Sequence, residues 1–398
     1  MSVDIPVNVK KIMDKLHRHG FEAYIVGGSV RDILRGVNPK DWDITTSATP
    51  REVVEIFSRT VETGIKHGTV TVLVEREHYE VTTYRIDGEY LDGRRPEEVT
   101  FTGEIVEDLS RRDFTINAIA YNPDTGFVDP FDGKIDIKRK IIRCVGDPLE
   151  RFGEDALRML RAIRFAGQLG FAIDASVVEA IAIKRANLAN ISRERVREEF
   201  VKLLVSPHVQ AVKLLETTGL LRYIVPFFKS DVDHVIDLLK NCPAKEPLRL
   251  ALFLASIGDF GENCAEILKN LRFDNKTTHE VSQYVRLLHS KIPHDRYRIK
   301  KYLRQMPQAE FENLLNLQAI TDPKDAERLA NVCKESQDIQ AKGECYTLRN
   351  LSIKGNDLIA MGIPKGKALG DMLESLLDAV MRDPSLNKLL PSKLHEYL

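Results

Sequence analysis

Apolar residues in this chain change their period once, near Asp147, and that change limits the architecture to a mixed α/β segment followed by an all-helical one. Upstream, Val9 to His19 carries the spacing of an amphipathic helix, whereas Ala23-Tyr24-Ile25-Val26, Val70 to Val74 and His78 to Tyr84 read as β-rich strands. Downstream, Leu157, Leu160 and Ile163, then Val177 and Ile181, then Val196, Phe200, Leu203 and Leu204 recur at helical spacing. Prolines at 207, 226, 243, 293, 307, 323 and 364 break that array into several bundles. The sequence has no internal repeat, which argues against a solenoid. The expected fold class is α+β, a small mixed β-sheet followed by helices.

At 398 residues the chain exceeds what one hydrophobic core organises, and roughly two to four domains are expected. Its 43% hydrophobic and 29% charged residues exclude a disordered or membrane-embedded protein. No apolar run approaches the roughly 20 residues of a bilayer span, and Met-Ser-Val-Asp-Ile-Pro is not a secretory leader, so a cytoplasmic protein is expected. The five cysteines are scattered and never form Cys-x-x-Cys, which suggests neither a disulfide framework nor a zinc site. With a formal net charge of −1, a nucleic-acid partner would have to be met by locally gathered cations.

Directly after Tyr24-Ile25-Val26 comes Gly27-Gly28-Ser29-Val30-Arg31-Asp32, then Ile33-Leu34 opening a helix. Such a turn lets the backbone approach a phosphate without a Cβ in the way, the free N–H groups of the helix start favour an anion, and Arg31 adds positive charge. Alone, Gly-Gly before a helix is more often only a tight turn. Asp41-Trp42-Asp43-Ile44 alters that balance: in an extended strand residues i and i+2 share a face, so both carboxylates are expected to reach one site. Carboxylates that close repel unless a cation lies between them, and hard oxygen ligands suit Mg²⁺ bound jointly with substrate phosphates. An isolated Asp-x-Asp is commonly a solvated turn, but here Trp42 and Ile44 give it strand character. Glu80, inside Tyr79-Glu80-Val81-Thr82-Thr83-Tyr84, is a third candidate for the metal site.

Further on, Arg111-Arg112-Asp113-Phe114-Thr115-Ile116-Asn117-Ala118 sets two arginines and an Asp against an apolar-alternating segment, suited to bidentate recognition of phosphate or sugar oxygens or to a surface salt-bridge cluster. Glu154-Asp155-Ala156-Leu157-Arg158 leads into Arg161 and Arg164, so that Asp155 and the three arginines follow at three-residue intervals on one helix face. That face is either an ion-pair stripe or a site. The basic stretch from Lys291 to Arg304 interleaves cations with tyrosines and is a candidate phosphate contact, with a solvated helix face as the alternative.

In this order the glycine turn, Asp41-Trp42-Asp43, Arg111-Arg112-Asp113-Phe114 and Glu154-Asp155 with Arg158 resemble the class II tRNA nucleotidyltransferases, the CCA-adding enzymes, which share a nucleotidyltransferase head with bacterial poly(A) polymerases. The resemblance spans the N-terminal two-fifths of the chain and is diffuse in the C-terminal third. It implies a catalytic head (1–146), a helical neck that recognises the nucleotide base (147–206), a helical body (207–306) and a helical tail that binds tRNA (307–398). The polar segment Arg85 to Pro96 resembles the loop that complete CCA-adding enzymes carry.

The resemblance also implies a reaction: attack of the tRNA 3′-hydroxyl on the α-phosphorus of CTP or ATP, without a template. Asp41 and Asp43 would hold Mg²⁺ with Glu80 beside them on the nucleophile's side, Gly28 and Arg31 would engage the triphosphate, and Arg112 the ribose or phosphate. Asp155 would accept from the exocyclic amine of C or A while Arg158 donates to their ring acceptors; U and G present the opposite polarity. Arg161 and Arg164 would contact the nucleotide or form structural ion pairs. The rivals are a poly(A) polymerase, an enzyme adding only CC or only A, and a non-catalytic RNA-binding protein, which need not keep Asp41, Asp43 and Glu80 together.

Overall fold

The computed structural model describes residues 4–88, 99–226, 230–256 and 263–393. In chain order its N-terminal elements are α1 (Val7–Arg18), β1 (Ala23–Val26), α2 (Gly28–Leu34), β2 (Asp43–Thr46), α3 (Pro50–Ile56), β3 (Thr60–Gly64), β4 (Thr69–Val74), β5 (Glu77–Thr83), β6 (Arg85–Asp87) and β7 (Val99–Phe101). They are followed by α4 (Ile105–Ser110), β8 (Ala120–Asn122), β9 (Gly126–Val128), α5 (Gly133–Arg139), β10 (Ile141–Ile142), α6 (Pro148–Glu154), α7 (Leu157–Leu169), β11 (Ala172–Ile173), α8 (Ala175–Lys184) and α9 (Arg193–Leu204).

Seven strands form one mixed sheet in the order β3-β4-β5-β2-β1-β8-β9, with β2 and β5 the parallel pair and β6-β7 a separate hairpin. All four residues of β1 are buried, as a central strand covered on both faces requires. Helix α1 supplies part of that cover through Val9, Ile12, Met13 and Leu16, the i, i+3, i+4, i+7 stripe expected from its sequence. Tyr24, Val26, Tyr84, Leu109, Ala118, Ala120 and Val145 form a core cluster on the sheet. Past Asp147 the regular elements among the described residues are helices except for β11, whose two residues pair with β10. Of the segment Arg85 to Pro96, residues 89–96 lie outside the described residues.

The chain divides into two compact units, Met1–Ile236 with Ile267–Asp274, and Asp237–Glu266 with Asn275–Leu398. The second is helical throughout its described residues, with a core that includes Leu351, Ile353, Leu358, Leu376, Leu377, Val380 and Met381. Its basic stretch is largely neutralised from within. Arg296 pairs with Glu335, Asp338 and Glu344, and Arg304 pairs with Glu374. Lys300 is buried, donating to the Met381 carbonyl at 2.9 Å and pairing with Glu344 at 2.7 Å. The helix Arg296–Gln305 is thus latched to its neighbours rather than solvated as a free cationic face. All five cysteines are free thiols, and among the described residues no helix is long and apolar enough to cross a membrane.

One glycine fixes how closely two parts of the sheet unit approach. At Gly133, the first residue of α5, an added Cβ would stand 2.2 Å from the Thr115 carbonyl and 2.8 Å from Ile119. Backbone cannot yield there as a side-chain tip can. Gly133→Ala is expected to cost about 2 kcal/mol, measured as a lower midpoint of urea denaturation with an unchanged slope.

Candidate active site

The glycine turn follows from where β1 stops. Val26 pairs with Asp43, so the residue that would face Trp42 is Gly27, which has already turned away with φ 75° to start α2. Strand β2 therefore begins at Asp43, and Asp41 and Trp42 precede it instead of lying in it as the alternating pattern suggested. The convergence of carboxylates survives for another reason. Parallel pairing of Ile44 with Val81 puts Asp43 and Glu80 side by side one step back along β2 and β5, and Asp41, Asp43 and Glu80 line one cavity of about 860 Å³ together with Lys40, Trp42 and Thr71.

Electrostatics of this cavity run against unaided ionisation. Asp43 keeps a face to solvent but has protein around most of it; this partial desolvation, followed by Glu80 and Asp41, pushes its carboxyl above the usual range, while Arg112 opposes the shift. None of the three acids has an ion-pair partner within 4 Å among the described residues, although hard anionic oxygens are what Mg²⁺ binds. Among those residues no group of three or more His, Cys, Asp and Glu forms a ready cage. That donor set fits a Mg²⁺ that keeps its remaining positions for water and substrate phosphates.

Arg112 and Arg31 reach this place from different elements. A Cβ on Gly27 would lie 3.3 Å from Arg112 Nη1 and 3.8 Å from Asp43 Oδ2, so the missing side chain is what lets all three meet. The segment Arg111–Ala118 is a turn and a short 3₁₀ stretch (Thr115–Asn117) rather than an alternating strand, since only Phe114 pairs in a bridge, with Cys144. Arg31 lies on α2 four residues past Gly27; its Nη1 donates to Asn117 Oδ1 at 2.8 Å and its Nε to Asp32 Oδ1 at 3.0 Å. A Cβ on Gly28 would stand 3.6 Å from Arg31 Nη2.

The second cluster does not form the single helical stripe expected from its spacing. Asp155 is extended (φ −138°, ψ 104°) between α6 and α7, because its side chain accepts the Leu157 N–H at 3.0 Å and so restarts the helix. Arg195 on α9 grips the same carboxylate at 2.7 Å. Arg158 is only 8% exposed and donates to Glu154 at 2.6 Å and to the Arg111 carbonyl at 3.0 Å, which joins it to the Arg112 turn. Arg161 pairs with Asp113 at 2.6 Å, and Arg164 with Glu199 and, at 2.6 Å, Gln168, the arrangement of the structural ion-pair alternative. Arg31, Arg161 and Arg164 all stand over the Phe165 ring, at 5.4, 5.4 and 3.8 Å from its centre.

Asn117, Phe165, Arg195 and Glu199 were not singled out from sequence. Phe165 carries a local signal, one residue beyond an arginine on an amphipathic helix, but the other three act across 35 to 86 residues and have none. Asp113 lies within a motif, yet its structural role emerges only here. Burial would raise its carboxyl, but Arg161, Asn117 and Arg158 overcome this and hold it down at about 2. An acid whose pKa is lower in the fold than in the unfolded chain contributes stability above roughly pH 4 that is lost as the pH falls toward 2. Asp113→Asn is expected to flatten that acid limb, seen in urea midpoints collected between pH 5 and 2.

Known proteins match this chain over nearly its full length. Residues 23–143 match the family model "Poly A polymerase head domain", residues 170–232 "Probable RNA and SrmB- binding site of polymerase A", and residues 244–388 a tRNA nucleotidyltransferase domain 2. The CCA-adding enzyme of Lactobacillus helveticus is 37% identical over 406 residues, covering 99% of this chain and 97% of that enzyme. That of a Geobacillus species is 37% identical over 398 residues, covering 97% and 95%. The crystal structure of the Bacillus stearothermophilus CCA-adding enzyme in complex with CTP superimposes with a TM-score of 0.82 at 32% identity, covering 95% of this chain and 94% of that one. A head sheet with its carboxylates, a helical remainder and full-length similarity agree, and the chain belongs to the family of CCA-adding enzymes.

Proposed function

We propose that this protein adds C, C and A to the 3′ end of tRNA, drawing on CTP and ATP without a nucleic-acid template and releasing pyrophosphate. The observation that carries this reading is the meeting of Asp43 and Glu80 on adjacent parallel strands, next to the glycine turn and Arg112. Asp41 and Asp43 would hold Mg²⁺, which would neutralise charge at the phosphates and ease loss of the 3′-hydroxyl proton. Glu80 lies on the nucleophile's side of that pair. Gly28 and Arg31 engage the triphosphate and Arg112 the ribose or a phosphate oxygen, which fixes the α-phosphorus in line with the incoming hydroxyl.

Base choice belongs to Asp155 and Arg158. Each Asp155 oxygen already held by Arg195 or the Leu157 N–H keeps a lone pair for the exocyclic amine of C or A, while Arg158 donates to their ring acceptors. Arg161 and Arg164 brace α7 against Asp113 and Glu199, and contact the nucleotide only by releasing them. The working parts are a head (1–146), a neck (147–206), a body (207–306) and a tRNA-binding tail (307–398), and the protein acts in the cytoplasm, where tRNA and nucleotides are available.

The test incubates the purified protein and Mg²⁺ with a tRNA lacking its 3′ CCA, with each triphosphate alone and with CTP plus ATP, and sequences the ends. Ends reading CCA are expected. Long A tails would replace the reading with a poly(A) polymerase, CC or A alone with a partial enzyme, and no addition with an RNA-binding protein.

A further inference from the structure

Asp108 lies outside every motif considered above. It sits on α4 with its side chain fully shielded from solvent (0% exposed), and its carboxylate collects four donors. Arg111 donates through Nε at 3.0 Å and Nη2 at 2.7 Å and Arg112 through Nη2 at 3.1 Å, while the Thr45 hydroxyl, 3.4 Å away, shares its one proton with the Thr82 carbonyl at 3.1 Å. The sequence makes this possible because i+3 and i+4 side chains return to the same side of a helix end. A buried carboxylate is costly alone, and a buried ion pair is a poor means of gaining stability compared with apolar packing. What such a pair does well is fix geometry.

The four donors lead to the parts of the site. Thr45 is two residues beyond Asp43 on β2, so the carboxylate stands beside the strand that carries Asp43. Arg112 spends one nitrogen on Asp108 and aims Nη1 at the glycine turn, while its Nε is buried without a hydrogen-bond partner. Arg111 lends its carbonyl to Arg158. Its guanidinium also stands 4.0 Å from Asp87, on the β6 strand that precedes residues 89–98.

We propose that Asp108 is a positioning residue for the incoming nucleotide: it locks the Arg112 guanidinium in one orientation beside the glycine turn, so that a ribose or phosphate oxygen meets a preset donor. The proposal rests on the reading of Arg112 as a nucleotide contact. Asp108→Asn keeps the shape but removes the charge that both arginines face, so Arg112 gains other rotamers and the nucleotide must select one.

The experiment measures KM for CTP, ATP and tRNA, together with Tm, in Asp108→Asn, Arg112→Ala and the double variant. Asp108→Asn is expected to raise the KM for both nucleotides about tenfold while the tRNA KM stays put, and to add nothing in the Arg112→Ala background. A lower Tm with unchanged nucleotide KM, or additive effects in the double variant, overturns the proposal. An Arg112→Ala variant that leaves nucleotide KM unchanged overturns the reading of Arg112 itself, whereas a defect there without one in Asp108→Asn overturns the positioning role alone. Should Asp108→Asn fold poorly, Arg112→Lys serves in its place. A lysine is a point charge that cannot fork between Asp108 and the turn, and the same tenfold rise is expected; a wild-type KM overturns the proposal.

Discussion

Asp43→Ala is expected to lower the rate of CMP incorporation into a CCA-less tRNA by at least about a thousandfold without unfolding the protein. The carboxylate sits where β2 begins, beside Glu80, and its charge is disfavoured in the fold: partial burial and the two neighbouring acids raise its pKa. For an acid, a folded pKa above the unfolded one means that ionisation weakens the fold as pH rises through that interval. At neutral pH the alanine variant should therefore melt at or above the wild-type temperature when Mg²⁺ is absent. Added Mg²⁺ should raise the melting temperature of the wild type by binding the folded form, and leave that of the variant unchanged. Single-turnover kinetics and calorimetry on the same preparations check both halves. Retention of a tenth of the activity would remove Asp43 from the metal site, and a melting point several degrees lower would make it a folding residue.

The second large effect concerns choice rather than rate. Asp155→Ala is expected to reduce the preference for CTP over UTP, as a ratio of kcat/KM, by roughly ten- to a hundredfold. On the proposed reading, a carboxylate pinned by Arg195 and the Leu157 N–H would not swing away from the O4 carbonyl of uracil, and that unrelieved repulsion would reject the wrong base. Alanine removes the repulsion as well as the bond to cytosine. Arg195→Ala, which frees the carboxylate to rotate, should relax the same ratio by a smaller factor. An equal fall in kcat/KM for both nucleotides would assign Asp155 to holding the α6–α7 junction and not to reading the base.

The strands and the amphipathic α1 were legible in the sequence because burial leaves a local imprint, alternating in β4 and β5 and continuous in the doubly covered β1: these strands and the stripe Val9, Ile12, Met13, Leu16 lie within a few residues of where the pattern put them. Asp41 was misplaced in a strand because pairing, which alternation cannot report, ends where β1 turns at Gly27. Asp155 was put on a helix because spacing at three residues says nothing of a side chain that caps its own backbone two residues on. Asp108 carried a readable hint, two arginines at i+3 and i+4. Arg195 carried none, since its partner lies 40 residues away and only the packing of α7 on α9 joins them. That packing depends on Gly167, where a Cβ would come within 2.8 Å of Leu203.

The acidic latch on the helix Arg296–Gln305 bears on how tRNA binding should respond to ionic strength. A cation lowers the affinity for RNA in high salt only in so far as it displaces counterions from phosphate, and a guanidinium or ammonium already matched to a carboxylate displaces few. Arg296, Lys300 and Arg304 are matched in this way, whereas Lys291 and Arg298 have no ion-pair partner among the described residues. The steepness of log affinity against log salt thus counts fewer charges than the sequence of this segment displays, because the carboxylates of its own unit hold most of the cations of this helix.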